Sequence, residues 1–130
     1  MYSEIAMEHF ARPRNVGLLA DADGYARLES DIHHDVIEVS IRVENGRLTE
    51  VRHRTYGCAA AIAASSMTTE MARGLTLDEA GRLEEGEVVR ALGGLPENKV
   101  RCSVLAPAAL RAAIAAHRRR GARADEVHGL

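Results

Sequence analysis

Two cysteines are the residues of this chain that are best suited to chemistry. Cys58 directly precedes the run A-A-A-I-A-A-S-S, and Cys102 directly precedes S-V-L-A-P-A-A-L, so each stands at the predicted start of a helix. The positive end of a helix dipole favours an anion and should lower the pKa of a thiol below its ordinary value of about 8.5. Arg101 and Lys99 lie close to Cys102 in the sequence and favour the thiolate in the same way. Because the thiolate attacks sulfur and binds metals, the sequence predicts two reactive cysteines, although a cysteine can also serve as a small core residue.

A short polar segment, D-I-H-H-D at residues 31–35, is the second candidate for chemistry. Its His33, His34 and Asp35 directly precede a predicted strand and therefore lie on a loop. Imidazole and carboxylate groups on a loop can join two thiolates from other segments in a four-ligand site for zinc, iron or an iron–sulfur cluster. Adjacent histidines before a strand are also common as solvent-exposed loop residues, so the spacing alone leaves both interpretations open.

The composition indicates one compact domain that spans residues 1–130. The chain has 130 residues, of which 46% are hydrophobic, enough to form a core without a disulfide or a structural metal. Its 17 basic and 19 acidic side chains give a formal net charge of -2, which provides no attraction to nucleic acid or to an anionic membrane. No apolar run approaches the roughly 20 residues that span a bilayer, and the N-terminus lacks the pattern of a secretory signal. We therefore expect a cytoplasmic protein with reduced thiols.

The first half of the chain predicts strands. A short helix up to Phe10 precedes an alternating strand from Asp35 to Val43, the turn E-N-G-R, and a second strand that ends before Gly57. Residues 24–32 are the candidate for a third strand. The two longer strands are expected to pair as an antiparallel hairpin, because Asn-Gly is the favoured pair of a two-residue hairpin turn.

Helix formers dominate the second half. Helices are predicted directly after Cys58, after the capping box T-L-D-E at 76–79, and in E-G-E-V-V-R-A-L. A last helix is predicted to begin near Ser103, or else only at Ala106, and to end at residue 120. Residues 121–130 are expected to form a flexible tail. This order predicts an α+β fold in which a small antiparallel sheet of about three strands packs against several helices.

Two histidines outside the D-I-H-H-D segment are expected to be structural. His53 falls in the second hairpin strand, where alternation predicts a packed or edge residue. His9 falls in the first helix, and we expect it on the helix surface.

Five segments resemble, in their order and spacing, the iron–sulfur cluster assembly scaffolds of the IscU type and the N-terminal domain of NifU. They are H-F-A-R-P-R-N-V-G at 9–17, the strand hairpin, R-T-Y-G-C-A-A-A-I-A-A-S-S at 54–66, L-T-L-D-E-A at 75–80 and L-P-E-N-K-V-R-C-S at 95–103. The resemblance runs from Tyr2 to about residue 119, and Y-G-C with the helix after it is its most specific part. It implies a fold of the IscU and SufE type.

The resemblance also implies a site. In the family, three cysteines and one aspartate surround a centre that receives iron, takes sulfur from a cysteine desulfurase, builds a 2Fe-2S cluster and passes it on. Cys58 matches the second of these cysteines, Cys102 the third, and Asp35 the aspartate.

The chain departs from the family's pattern at three positions. His33 stands at the first cysteine, His34 at a glycine, and Arg101 at a histidine that precedes the third cysteine. Imidazole can replace thiolate at iron, as it does in Rieske centres, and the resulting ligand set also suits zinc. The implied site is therefore a mixed one of two thiolates, one carboxylate and one imidazole.

The function implied by the resemblance is that of a scaffold or carrier, not of an enzyme that turns over a small substrate. Cys102 would accept sulfur, because it is the more cationic thiol site, and Cys58, Asp35 and His33 or His34 would hold iron or a 2Fe-2S cluster. The implied partners are a cysteine desulfurase and apo iron–sulfur proteins. L-P-E-N-K at 95–99 is similar to the family's L-P-P-V-K, which implies an Hsp70-type chaperone as a further partner.

Two alternatives remain open at the level of sequence. One is a sulfur acceptor with sulfurtransferase-like activity that resembles the zinc-binding SufU branch, although the interval between Cys58 and Cys102 has no room for the insertion of that branch. The other is a degenerate paralogue that binds the desulfurase and regulates it without building clusters. The loss of the first cysteine supports this second alternative.

Overall fold

The computed structural model describes the backbone of residues 1–30 and 34–128 and the side chains of residues 1–30 and 34–121. In chain order the elements are α1 (Glu4–Ala11), β1 (Gly24–Glu29), β2 (Val36–Glu44), β3 (Arg47–Tyr56), α2 (Ala59–Ala72), α3 (Leu77–Gly81), α4 (Glu85–Ala91), a 3-10 segment (Glu97–Ser103) and α5 (Leu105–His128). Within the described residues this order confirms the predicted α+β fold.

The strands form one antiparallel sheet in the order β1-β2-β3. In the turn between β2 and β3, Asn45 and Gly46 have φ angles of 53° and 74°, the left-handed conformation that a two-residue hairpin turn requires. β2 pairs with both neighbours, so that Ile37 lies opposite Leu28 of β1 and Thr55 of β3. The register fixes which residues of the three strands share a face.

One face of the sheet packs against the helices. α5 lies across β1 and β2, and α2 lies against β3. The core between the sheet and α5 is built from buried apolar residues that include Ile37, Val39, Ile41, Leu48, Val51, Ala109, Leu110, Ala113 and Ile114. Since each large apolar side chain stabilises the fold by about 1.5–3 kcal/mol when it is buried, this cluster holds the strand ends in fixed positions.

α2 is buried along most of its length, although it consists largely of alanine, serine and threonine. It contacts α1, β3 and the 3-10 segment, and its small side chains allow these neighbours to lie close. Two of its buried hydroxyls bond back to the helix, Ser65 to Ala61 O at 2.8 Å and Thr68 to Ala64 O at 2.7 Å. α2 is therefore the central element that joins the sheet to the other helices.

His53 attaches the segment after α1 to the edge of the sheet. Its backbone bonds to Asn15 O at 2.9 Å and to Gly17 N at 2.8 Å, and Val16 forms a parallel bridge beside it. Its Nε2 lies 3.0 Å from Arg14 O. The side chain is 2% exposed, which confirms the prediction of a packed strand histidine.

His9 is also buried, and its predicted place on the helix surface is wrong. Its Nδ1 lies 2.7 Å from Ser66 Oγ of α2, and the same oxygen accepts the backbone N–H of Arg14 at 2.8 Å. The polar Ser66 makes a buried position acceptable to an imidazole because it completes a hydrogen bond there.

α5 extends to His128 and so passes residue 120, where the predicted helix ends. The flexibility of residues 121–130 and the assignment of residues 1–130 to a single domain stay predictions. No helix among the described residues is long and apolar enough to cross a membrane.

Candidate metal centre

The start of β2, the end of β3 and the start of α2 meet at one edge of the sheet. Asp35 directly precedes β2, and Cys58 is the N-cap of α2, with φ -72° and ψ 170°. Because Val36 pairs with Tyr56 in the antiparallel register, the next residues along, Asp35 and Gly57, lie side by side. The prediction of a helix that starts just after the first thiol is confirmed, and the hairpin brings Asp35 to that thiol.

Cys102 reaches the same edge from the far end of the sequence. Its side chain is 5% exposed and packs against Ala60 and Ala61 of α2. The prediction that it opens a helix is wrong, because it lies near the end of the 3-10 segment and α5 begins at Leu105. Val104 N donates to Arg101 O at 3.4 Å and closes the last 3-10 turn, so Cys102 lies inside that turn and not at the positive end of α5.

Asp35, Cys58 and Cys102 together form the thiol cluster. One carboxylate oxygen and the two sulfur atoms lie within 4.8 Å of one another. Both thiols are free. Carboxylate and thiolate groups at this spacing can share one metal ion after small side-chain rotations. Three of the predicted site residues are thus brought together.

The thiol cluster opens onto a cavity of about 430 Å³. The cavity is lined by His34, Asp35, Tyr56, Gly57, Cys58, Lys99 and Cys102. A second cavity of about 270 Å³ lies on the other side of Asp35 and Cys102, and Arg101 contributes to its wall. The cluster is therefore accessible from solvent, with one cationic side chain beside each opening.

Burial raises the pKa of the Cys102 thiol to about 11. The hydrogen bond to Cys58 and the negative charges of Cys58 and Asp35 act in the same direction, while Lys99 opposes them. The predicted lowering of this pKa is therefore wrong, because desolvation and two acidic neighbours outweigh the nearby cation. Without a bound cation Cys102 holds its proton at neutral pH, and a cation at the cluster would have to replace that proton.

His34 lies apart from the thiol cluster. His34 is exposed at the rim of the cavity, and its ring nitrogens lie outside the group of atoms within 4.8 Å. Its φ is 56°, the left-handed conformation that glycine adopts most easily, and its N–H donates to Ser30 O at 3.0 Å. His33 lies outside the described residues.

Two cavity residues were missed by the reasoning from sequence, Tyr56 and Gly57. They belong to the Y-G-C motif, from which only the cysteine was interpreted. The sequence could have indicated both residues, since they lie between the predicted second hairpin strand and Cys58.

The family model and the curated relatives that match this chain name the same family. The family model of the NifU-like N-terminal domain matches residues 1–124. The iron-sulfur cluster assembly scaffold protein IscU 1 of Archaeoglobus fulgidus is 44% identical over 130 residues, which covers 100% of this chain and 85% of that protein. The iron-sulfur cluster assembly scaffold protein IscU of Escherichia coli K12 is 39% identical over 118 residues, which covers 88% of this chain and 91% of that protein.

A solved structure has the same fold. The crystal structure of the N-terminal part of a nitrogen-fixing NifU-like protein from Brucella abortus superposes with a TM-score of 0.74 at 20% identity. The match covers 90% of this chain and 94% of that one. At this level of identity the likeness concerns the fold alone.

Proposed function

This chain belongs to the family of NifU-like N-terminal domains, and we propose that it is an IscU-type scaffold on which an iron–sulfur cluster is assembled. The thiol cluster carries the proposal, since one carboxylate oxygen and two sulfurs converge within 4.8 Å beside an open cavity. A scaffold needs such a site, because its cargo must enter from solvent, bind and leave again.

The donor set suits iron and its clusters. Thiolates are the usual ligands of iron–sulfur clusters, and one carboxylate among them is a harder, more exchangeable ligand for iron. The same three groups also bind zinc, so zinc can occupy the site in the purified protein.

We assign the fourth ligand position to His33, with His34 as the alternative. His33 stands at the sequence position of the family's first cysteine, and imidazole is an established ligand of 2Fe-2S centres. The left-handed φ of His34 gives that residue a backbone role, which favours its neighbour as the ligand.

Cys102 is the proposed sulfur acceptor. Its thiolate would attack the outer sulfur of a cysteine persulfide on the donor enzyme, forming a new S–S bond on Cys102 as the donor's S–S bond breaks and the donor cysteine leaves as a thiolate. Because burial raises the pKa of the Cys102 thiol to about 11, the thiol must first lose its proton. A cation held by Asp35 and Cys58 would favour that loss.

The proposed partners follow from this role. A cysteine desulfurase would supply sulfur at the cavity that contains both thiols, and apo iron–sulfur proteins would receive the product. The L-P-E-N-K stretch overlaps the start of the 3-10 segment that carries Cys102, so an Hsp70-type chaperone that binds this stretch would act on release. In this role the protein carries and transfers, and any sulfurtransferase-like activity is confined to the acceptance of persulfide sulfur.

The test is anaerobic reconstitution with ferrous iron, cysteine, a cysteine desulfurase and a thiol reductant, followed by measurement of iron, acid-labile sulfide and the visible spectrum. We expect about two iron and two sulfide per chain or per dimer, with a marked loss of both in His33→Ala and retention in His34→Ala.

Two outcomes would contradict the proposal. Stoichiometric zinc without labile sulfide, together with thiol-dependent stimulation of the desulfurase, would indicate the zinc-binding sulfur acceptor. Binding to the desulfurase with neither metal nor sulfide would indicate the regulatory paralogue.

A further inference from the structure

We propose that Gly57 is a positioning residue of the thiol cluster: the absence of a Cβ at this position lets the Asp35 carboxylate lie against the strand end and face both sulfurs. The inference rests on the proposed function, because it concerns the ligand set of that site. This role would explain why the middle residue of the Y-G-C motif has no side chain.

The sheet register brings the two residues together. Val36 and Tyr56 are the last pair between β2 and β3, and the next positions outward are Asp35 and Gly57. Side chains alternate between faces along a strand, so Asp35 shares the face of Ile37, the face that the helices cover. The carboxylate is therefore directed beneath the start of α2, where the two thiols lie.

The space for a Cβ at position 57 is taken by that carboxylate. A Cβ added there would lie 2.5 Å from Asp35 Oδ1 and 2.8 Å from Asp35 Cγ, far closer than the 3.5–4.0 Å or so of a normal carbon contact. On its other side the added atom would lie 3.2 Å from Ala61 Cβ, and Ala61 is fully buried in α2. The helix cannot give way easily, so the displacement would fall on the Asp35 side chain.

Backbone conformation does not explain this glycine. Gly46 and Gly74 have positive φ angles of 74° and 85°, whereas Gly57 is not among the positive-φ residues. An alanine at position 57 can therefore adopt the same backbone. Its cost is steric and concentrated on the carboxylate, which is the flexible end of a side chain and can move away from the sulfurs without unfolding the sheet.

The experiment compares Gly57→Ala with Gly81→Ala in the full chain, each made metal-free and titrated with Co²⁺ while the absorption spectrum is recorded. Gly81 is the matched control, because a Cβ there meets nothing within 4 Å. We expect Gly57→Ala to weaken Co²⁺ binding by about 10- to 100-fold, the range for loss of a group that orients a ligand. The thiolate-to-cobalt charge-transfer band should persist while the ligand-field bands change, since the sulfurs stay and the carboxylate moves.

A double substitution separates positioning from general damage. Once Asp35→Ala has removed the carboxylate, adding Gly57→Ala should produce no further loss of Co²⁺ affinity. Any thermal stability that Gly57→Ala alone loses should be recovered in the double variant. An equal loss from Gly57→Ala in both backgrounds would overturn the inference, as would a Gly57→Ala protein that binds and absorbs like the original. If Gly57→Ala alone fails to fold, a folded double variant supports the clash, and a double variant that is also unfolded contradicts it.

Failure of the inference is distinguishable from failure of the proposed function. If the unsubstituted chain shows no thiolate-to-cobalt charge transfer, the thiol cluster is not a metal site and both fall. If it shows this band and Gly57→Ala changes nothing, the site stands and only the role of Gly57 is removed.

Discussion

Two clusters of buried and half-buried polar side chains lie along α2, and they differ in the groups that complete their hydrogen bonds or charges. The thiol cluster, at the start of the helix, consists of Asp35, Cys58 and Cys102. The histidine cluster, around the middle of the helix and the edge of β3, consists of His9, His53 and Ser66. Both are polar groups in a mostly apolar interior, which is costly unless each group finds a partner.

The histidine cluster finds its partners within the chain. Ser66 is fully buried and His53 is 2% exposed, and their hydrogen bonds run to His9, to Thr55 and to the backbone of Arg14. Among the described residues, no buried side-chain nitrogen or oxygen lacks a hydrogen-bond partner. The cluster therefore has a structural role, which is to hold the segment after α1 on β3 and α2.

The thiol cluster is built in the opposite way. Its acidic groups face one another and open onto a cavity of about 430 Å³. Burial, together with the acidic neighbours Cys58 and Asp35, raises the pKa of the Cys102 thiol. In the proposed function, a cation from outside the chain completes this arrangement. The comparison teaches that buried polarity indicates function here only where the neighbours repel and solvent has access.

The sharpest test of the comparison is to remove one sulfur. Cys58→Ser or Cys102→Ser should lower Co²⁺ affinity by more than about 100-fold, beyond the range for loss of a group that only orients a ligand. The thiolate-to-cobalt band should weaken in each variant, because a serine hydroxyl is a poor ligand at neutral pH. Titration of the metal-free proteins measures both effects.

The matched change in the other cluster is His53→Phe, which should leave Co²⁺ binding intact. Retention of stoichiometric binding in both serine variants would remove the thiol cluster as the metal site. Loss of binding in His53→Phe would show that the two clusters are not independent.

The next largest effect is expected in the histidine cluster. Ser66→Ala leaves the Arg14 N–H and the His9 imidazole without their shared oxygen, and a buried unsatisfied group costs about 1–3 kcal/mol. We therefore expect the free energy of unfolding to fall by about 2 kcal/mol in urea denaturation of the metal-free protein, with unchanged Co²⁺ affinity.

Ser65→Ala is the matched control for this change. Ser65 is also buried, but its hydroxyl bonds only to Ala61 O within its own helix, so its loss should cost less than about 1 kcal/mol. Equal costs for the two serines would show that Ser66 does not anchor the segment after α1.

The pH dependence of stability should also come from the histidine cluster. Burial lowers the pKa of His53, with the hydrogen bond to Arg14 opposing it, and burial together with Arg14 lowers the pKa of His9. Each is therefore neutral in the folded protein at a pH where the unfolded chain binds a proton. Stability should be complete above the ordinary histidine pKa of 6.5 and should fall as pH decreases below it.

Urea denaturation of the metal-free protein between about pH 7 and pH 5 measures this slope, a window above the ordinary carboxylate pKa of about 4.3. His53→Phe should reduce the slope, because it removes one of the two protonation sites. A slope that is unchanged in His53→Phe would locate the pH dependence elsewhere.

The fold was largely predictable from sequence because its signals are local. The strand β2, the Asn-Gly turn and the capping box of Thr76 and Glu79 each depend on residues a few positions apart, and each is confirmed. The burial of β2 does not alternate as its sequence does, because Glu38 and Ser40 are buried as well. The helix that starts after Cys58 is confirmed for the same reason.

The errors concern properties that depend on distant residues. The pKa of Cys102 is raised by burial and by Cys58 and Asp35, which are far away in sequence, whereas only Lys99 and Arg101 were visible beside it. His9 is buried because Ser66 meets it across the interface of α1 and α2. The space at Gly57 exists only once β2 has paired with β3.

The smallest effect is expected from the backbone that holds Asp35. His34 has a φ of 56°, and the left-handed conformation costs a residue with a side chain about 1–2 kcal/mol. Glycine avoids this cost but loses more conformational entropy on folding, by about 0.5–1 kcal/mol. His34→Gly should therefore raise the free energy of unfolding of the metal-free protein by about 0.5 to 1 kcal/mol in urea denaturation.

Because the imidazole of His34 lies outside the thiol cluster, the Co²⁺ affinity of His34→Gly should stay unchanged. The control is His34→Ala, which keeps the backbone strain and should bring no gain in stability. A stabilised variant with weakened Co²⁺ binding would make His34 a ligand and would extend the thiol cluster to its rim.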